Sequence, residues 1–93
     1  MKKEKNNSQK TKEQLVGGVT HYFPKVKVAV VKLLKPLVEG DNIRIVGGEG
    51  TDFIQEVKSM EIDHQKIEKA KKGESIGLKI GKKVREGYKV YKI

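Results

Sequence analysis

Five side chains between positions 59 and 75 carry the functional groups of hydrolytic chemistry: Ser59, Glu61, Asp63, His64 and Ser75. A Ser–His–Asp relay needs the carboxylate to hold the imidazole while the imidazole takes the hydroxyl proton. Asp63 and His64 are adjacent, and adjacent side chains on a strand point to opposite faces. They therefore do not form such a relay. Glu61 and Asp63 would share a face, the arrangement of an acid/base pair or of two cation ligands, but no third ligand accompanies them. The chain has no Cys, and its histidines are His21 and His64, too few for a typical zinc site. Gly47, Gly48 and Gly50 resemble a phosphate loop in composition only. The P-loop lysine and the GxGxxG spacing are missing, and no helix pattern follows. The sequence thus predicts no catalytic residue, no metal site and no cofactor.

What remains is electrostatic chemistry. The net charge of +9 over 93 residues gives a surface that attracts polyanions such as RNA. The excess is concentrated late: ten basic residues between Lys66 and Lys92 face only Glu68, Glu74 and Glu86. Lys69, Lys71, Lys72, Lys79, Lys82, Lys83 and Arg85 are the candidate nucleic-acid contacts. Most of them come from two loop-like stretches, 69–74 and 81–86. Their fields add only if both loops lie at one end of the domain. Lysine-rich surfaces also keep small domains soluble, so charge alone does not assign a partner. Tyr22, near His21 and Lys25, is a candidate for stacking on a base. With three Tyr and two Phe in all, at least one of Tyr22 and Phe23 is expected in the core. Tyr88 and Tyr91 fall on opposite faces of the last strand.

These residues must be positioned by strands. Residues 1–13 contain no Val, Ile, Leu or aromatic residue, and nothing there offsets an ordering cost of about 1–2 kcal/mol per residue. They read as a disordered basic tail, with no apolar run of a signal peptide behind the lysines. No stretch approaches a membrane span, so a soluble, cytoplasmic protein is expected. Residues 14–93 read as one domain. Gly17 and Gly18 suggest a bulge in a first strand, and Val26, Val28 and Val30 alternate with Lys27 and Ala29. A phase shift suggests a second bulge near Val31. Gly40-Asp41 marks a turn before Ile43 and Ile45. The stretch 52–63 reads as one long strand. Ile76, Leu78 and Ile80 line another, and 87–93 is the last. For the stretch 59–80 the strand reading buries more apolar area than a helix, at roughly 25 cal/mol per Å², with one helical turn allowed around 68–72. Turn signals every 8–12 residues or so are the pattern of β-sandwiches and barrels.

In this order, three stretches resemble the second, β-barrel domain of elongation factor Tu and related translational GTPases. "LVEGDNIRIVGG" is similar to that domain's V-x-x-G-D-x-V-x-I-V-G. "VKSMEIDHQKIEKAKKGESIGLKI" is similar to its V-x-G-V-E-M segment followed by G-D/E-N-V-G-L, and "VREGYKVYKI" to its closing strand. The resemblance implies a six- or seven-stranded Greek-key barrel. At the matching positions it implies that Glu61 lies against a terminal adenosine of tRNA and that Gly77 lets a ligand approach the backbone. Ser75, Lys79 and His64 or Gln65 depart from the family's pocket residues. The GTPase domain has no counterpart. "GGVTHYFPKVKVAVVKLLKPLVEGDNIRI" also resembles the C-terminal barrel of collagenase-like peptidases, an appendage to a catalytic region.

The expectation is an all-β Greek-key barrel serving as a non-catalytic binding module. Its partner would be RNA, as tRNA or on the ribosome. The other reading is a protein-interaction barrel that partners a separately encoded enzyme such as a collagenase-like peptidase. A small hydrolase has no constellation behind it. The sequence leaves the oligomeric state open.

Overall fold

The computed structural model describes residues 13–48 and 50–93. The expected tail therefore lies outside the described residues except for Glu13.

The described residues are all β, in ten strands. In chain order they are β1 (Gln14–Phe23), β2 (Val28–Leu33), β3 (Leu37–Val38), β4 (Asn42–Val46), β5 (Asp52–Glu56), β6 (Met60–Ile62), β7 (Gln65–Ile67), β8 (Lys69–Ala70), β9 (Ser75–Lys79) and β10 (Lys89–Lys92). Eight form one antiparallel sheet in the order β5-β4-β10-β1-β2-β9-β6-β7, and β3 and β8 form a separate ribbon. The sheet curls around a single apolar core.

Period-two patterning builds that core. Ala29, Val31 and Leu33 of β2, Ile43 and Ile45 of β4, and Ile76 and Leu78 of β9 all point inward and are buried. Each such Val, Leu or Ile contributes about 1.5–3 kcal/mol through removal from water. The ribbon adds Leu37 and Ala70, paired with each other and buried. No polar or charged side chain is buried among the described residues.

Two bulges bend β1. Its register with β10 slips between Val90 and Tyr91, where Val16 is the extra residue. Its register with β2 slips between Val19 and His21, at Thr20. Gly17 sits beside the first slip. A Cβ there would lie 2.5 Å from the Lys32 carbonyl oxygen, so the close approach of β1 to β2 requires glycine. The glycine pair does mark a bulge, as its composition suggests. The expected bulge near Val31 lies instead on the partner strand, while β2 runs unbroken from Val28 to Leu33.

Two further expectations need correcting. The stretch 52–63 is not one strand. It breaks at Val57–Ser59, sending β5 to one edge of the sheet and β6 towards the other. Val57 turns inward, donating to the Asp41 carbonyl while its own carbonyl accepts from the Gly40 N–H, each at 2.8 Å. The strand reading of 59–80 holds, and the helical turn allowed at 68–72 is not formed, because β8 runs into a turn at 72–73. Among the described residues the strand count exceeds six or seven, the all-β class holds, and strands β5 and β7 are the edges of a curled sheet that no pairing among these residues closes. The Gln55 side chain reaches from the β5 edge to the exit of β9, its Nε2 donating to the Lys79 carbonyl and its Oε1 accepting from the Gly81 N–H, both at 2.9 Å.

Candidate functional site

The outward face of β2 carries two valines before it ends in the exposed Lys32. Val28 and Val30 point away from the core and are only half-exposed, because they floor a groove of about 730 Å³. Phe23 and Val26 stand at one wall, and Glu61, Ile62, Asp63 and His64 form the other. The groove opens because two pairings end at different points. Strand β9 pairs with β2 over all five residues, Ser75 to Lys79. With β6 it pairs only at Gly77 and Leu78. Beyond Gly77 the β6–β7 hairpin no longer pairs with β9, so that among the described residues no strand pairs with Ser75 and Ile76 on that side.

Gly77 lies in the floor opposite both Val30 and Glu61. An added Cβ would come within 3.3 Å of Val28 Cγ1, so any side chain here would start to fill the groove. The opposing wall ends in a two-residue hairpin turn. Asp63 and His64 both have positive φ, 52° and 66°, the backbone sign of a type I′ turn, which favours Asn-Gly. Lys27, at the end of the β1–β2 turn, also has positive φ, 57°. Both strained turns therefore flank the same groove.

Asp63 and His64 thus sit in a turn rather than on a strand, exposed and on the groove wall. Glu61, Gly77 and Lys79 are brought together along the groove. Among the described residues no group of three or more His, Asp or Glu is placed to hold a metal ion. No helix there is long and apolar enough to cross a membrane.

The late lysines are divided by β9. Ser75 pairs with Lys32 and Lys79 with Val28, so the 69–74 loop lies at one end of β9 and the 81–86 loop at the other. Five strand residues span about 16 Å, twice the screening length of about 8 Å at physiological salt. Lys69, Lys71 and Lys72 consequently do not reinforce Lys82, Lys83 and Arg85. The latter group has neighbours that sequence reasoning missed. The Ile80 N–H donates to the Lys27 carbonyl at 2.9 Å, and Pro24 lines a shallow depression with Lys83 and Arg85. This brings Lys25 and Lys27 to the 81–86 loop. Tyr22 packs partly against the core. The exposed aromatic is Phe23, whose ring meets His21 edge-on with centroids 4.4 Å apart.

Away from both surfaces, Arg44 forks to two carboxylates on the outer face of β4. Its Nε and Nη2 donate to Asp52 at 2.7 and 2.6 Å, and its Nη1 donates to both oxygens of Glu13, at 3.0 and 2.8 Å. The hydrogen bond from Arg44 holds the Asp52 carboxyl below its ordinary value, against a smaller desolvation effect. The bonds to Asp52, and then those to Glu13, raise the Arg44 pKa in turn. This exposed network fastens β1 and the β5 edge to β4. It touches neither groove.

No protein-family model matches the chain. Over 86 residues, 91% of its length, it is 43% identical to an uncharacterized protease of Methanocaldococcus jannaschii, and it spans 21% of that protein. Its fold is similar to that of the C-terminal domain of a Geobacillus thermoleovorans protein described as a U32 peptidase. One crystal structure of that domain gives a TM-score of 0.80 at 19% identity, covering 94% of this chain and 99% of that one. A selenomethionine variant gives 0.78 at 19% identity, covering 83% and 96%. These comparisons agree with the resemblance to the peptidase barrel. They do not show the elongation-factor resemblance.

Proposed function

We propose that this chain is a non-catalytic accessory barrel of a U32-type protease system, docking through its outer groove onto a protein partner that carries the catalysis. The observation that carries this is the combination of a 43% identical match to about one fifth of a protease with an apolar groove on the outside of the sheet. Phe23 and Val26 on its wall are 47% and 54% exposed, beside half-buried Val28 and Val30 on its floor. The occupant we assign is an extended apolar segment of the protease. Its side chains would fill the space above Gly77, and its backbone would lie along the side of β9 that β6 leaves at Ser75. Main-chain pairing with alternate side-chain pockets is an established way to bind such a segment.

The test is to mix this chain with the Methanocaldococcus protease lacking its matched 86 residues and to measure stoichiometry by light scattering. A one-to-one complex is expected, lost on replacing Val28 and Val30 by Lys. No complex, or a complex indifferent to that double substitution, overturns the reading. The elongation-factor reading of Glu61 and Gly77 as an adenosine pocket gains nothing from the comparisons. The groove offers Glu61 as a wall residue and Gly77 as clearance in either case.

A further inference from the structure

We propose a second binding surface, which adjoins the groove at Phe23 and Lys79: the end of the domain formed by the β1–β2 turn and the 81–86 loop binds single-stranded nucleic acid. Three observations carry it. First, the two segments form one surface. Ile80 is bonded to Lys27, Pro24 shares a depression of about 430 Å³ with Lys83 and Arg85, and His21 Nδ1 lies 3.4 Å from a Glu86 carboxylate oxygen. Second, this surface gathers Lys25, Lys27, Lys79, Lys82, Lys83 and Arg85. The acidic residue in the loop, Glu86, is engaged by His21, and Glu61 and Asp63 stand across the groove on the far wall. Third, an exposed aromatic ring adjoins this end. Phe23 is 47% exposed and meets edge-on the ring of His21, which itself lines the depression with Lys83 and Arg85.

An acidic protein surface would need only the cations. A ring presented beside them adds a stacking platform, the combination by which single strands are held: phosphates on Lys and Arg, a base on the aromatic face. A duplex keeps its base faces stacked and offers none to Phe23. The assignment differs from a general affinity of all the lysines for polyanions, because Lys71 and Lys72 lie beyond the far end of β9.

The experiment is fluorescence anisotropy of labelled 12-nucleotide single strands, RNA and DNA in separate arms, with the intact chain. Contact with four or five phosphates gives a slope of log K against log salt of about −3, or roughly 60-fold weaker binding from about 50 to 200 mM salt. Lys82→Glu with Lys83→Glu is expected to weaken binding at least tenfold, and Phe23→Ala at least fivefold. Lys71→Glu with Lys72→Glu should change it less than threefold. All of these side chains are exposed, and circular dichroism checks that each variant is folded. Equal affinity in the RNA and DNA arms fits stacking and phosphate contact alone, whereas a preference for RNA adds a 2′-hydroxyl contact. The proposal fails if neither strand binds at about 50 mM salt, or if the two lysine pairs have equal effects. It also fails if Phe23→Ala is silent while polyglutamate competes as well as the oligonucleotide, which would reassign the surface to an acidic protein.

Discussion

The ring of Tyr88 lies directly on Gly47: a Cβ at position 47 would fall 2.3 Å from Tyr88 Cδ1 and Cε1. The glycine at the end of β4 is a seat for a core side chain, and the Tyr88 hydroxyl beyond it lies 3.3 Å from Thr51 Oγ1. Gly47→Ala must displace the ring. It is expected to destabilise the domain by about 1–3 kcal/mol, the usual cost of overpacking a core. Chemical denaturation checks this. Tyr88→Phe keeps the ring and should cost much less.

The Gln55 amide joins the β5 edge to the exit of β9. Gln55→Ala removes both of its hydrogen bonds, at about 0.5–1.5 kcal/mol each. Faster amide exchange at Gly81, with the exchange of β2 amides unchanged, is the expected signature. Uniform loss of protection would show that the amide does not act as a local clasp.

The Asp63-His64 turn holds two non-glycine residues at positive φ. His64→Gly should relieve part of a strain that runs to about 1–2 kcal/mol per residue in the left-handed region, so the melting temperature should rise. Asp63→Asn combined with it gives the preferred Asn-Gly pair. A fall in stability would mean that the His64 side chain makes a compensating contact on the groove wall.

The Arg44–Asp52 pair sets an acid limb of stability. The Asp52 carboxyl is held below its ordinary value of 3.8. Its contribution is therefore fully present above the unfolded value and is lost as pH falls through the lower, folded-state value. Denaturation midpoints measured from pH 6 down to pH 2 or so should fall below about pH 4. They should fall less steeply in Asp52→Asn, which is weaker at neutral pH and has no such titration. Parallel curves for the two proteins would remove Asp52 from the acid transition.

Local patterning carried much of this fold. "GDNIRIV" reads as a turn and a strand, and β4 runs from Asn42 to Val46 with Ile43 and Ile45 inward. Alternation was harder to use where both faces of a strand are apolar. Val26, Val28 and Val30 stand out in the sequence, yet the inward set is Ala29, Val31 and Leu33. Nothing local marks which valine stripe faces the core, since that is decided by β1 and β9 on either side. The break at Val57–Ser59 was hidden for a related reason. Val57 is an apolar residue in an apolar strand pattern, and its hydrogen bonds go to Gly40 and Asp41, far away in sequence. Glu61 and Gly77 are opposite one another on β6 and β9, a strand pairing that bears on neither residue's expected role. The separation of Lys71 and Lys72 from Lys82 and Lys83 depends on the length and direction of β9. The convergence of Lys25 and Lys27 on the second group depends on one hydrogen bond from Ile80. Neither is written in spacing.

One further consequence follows from the order of the sheet. Strands β1 and β10 are neighbours, with Gln14 opposite Lys92, while the β1–β2 turn sits ten residues of extended chain away. A tether leaving from Gln14 or from Lys92 would grip the molecule by the same pole. It would leave the groove and the Phe23 surface facing outward, like the working end of a tool held by its handle.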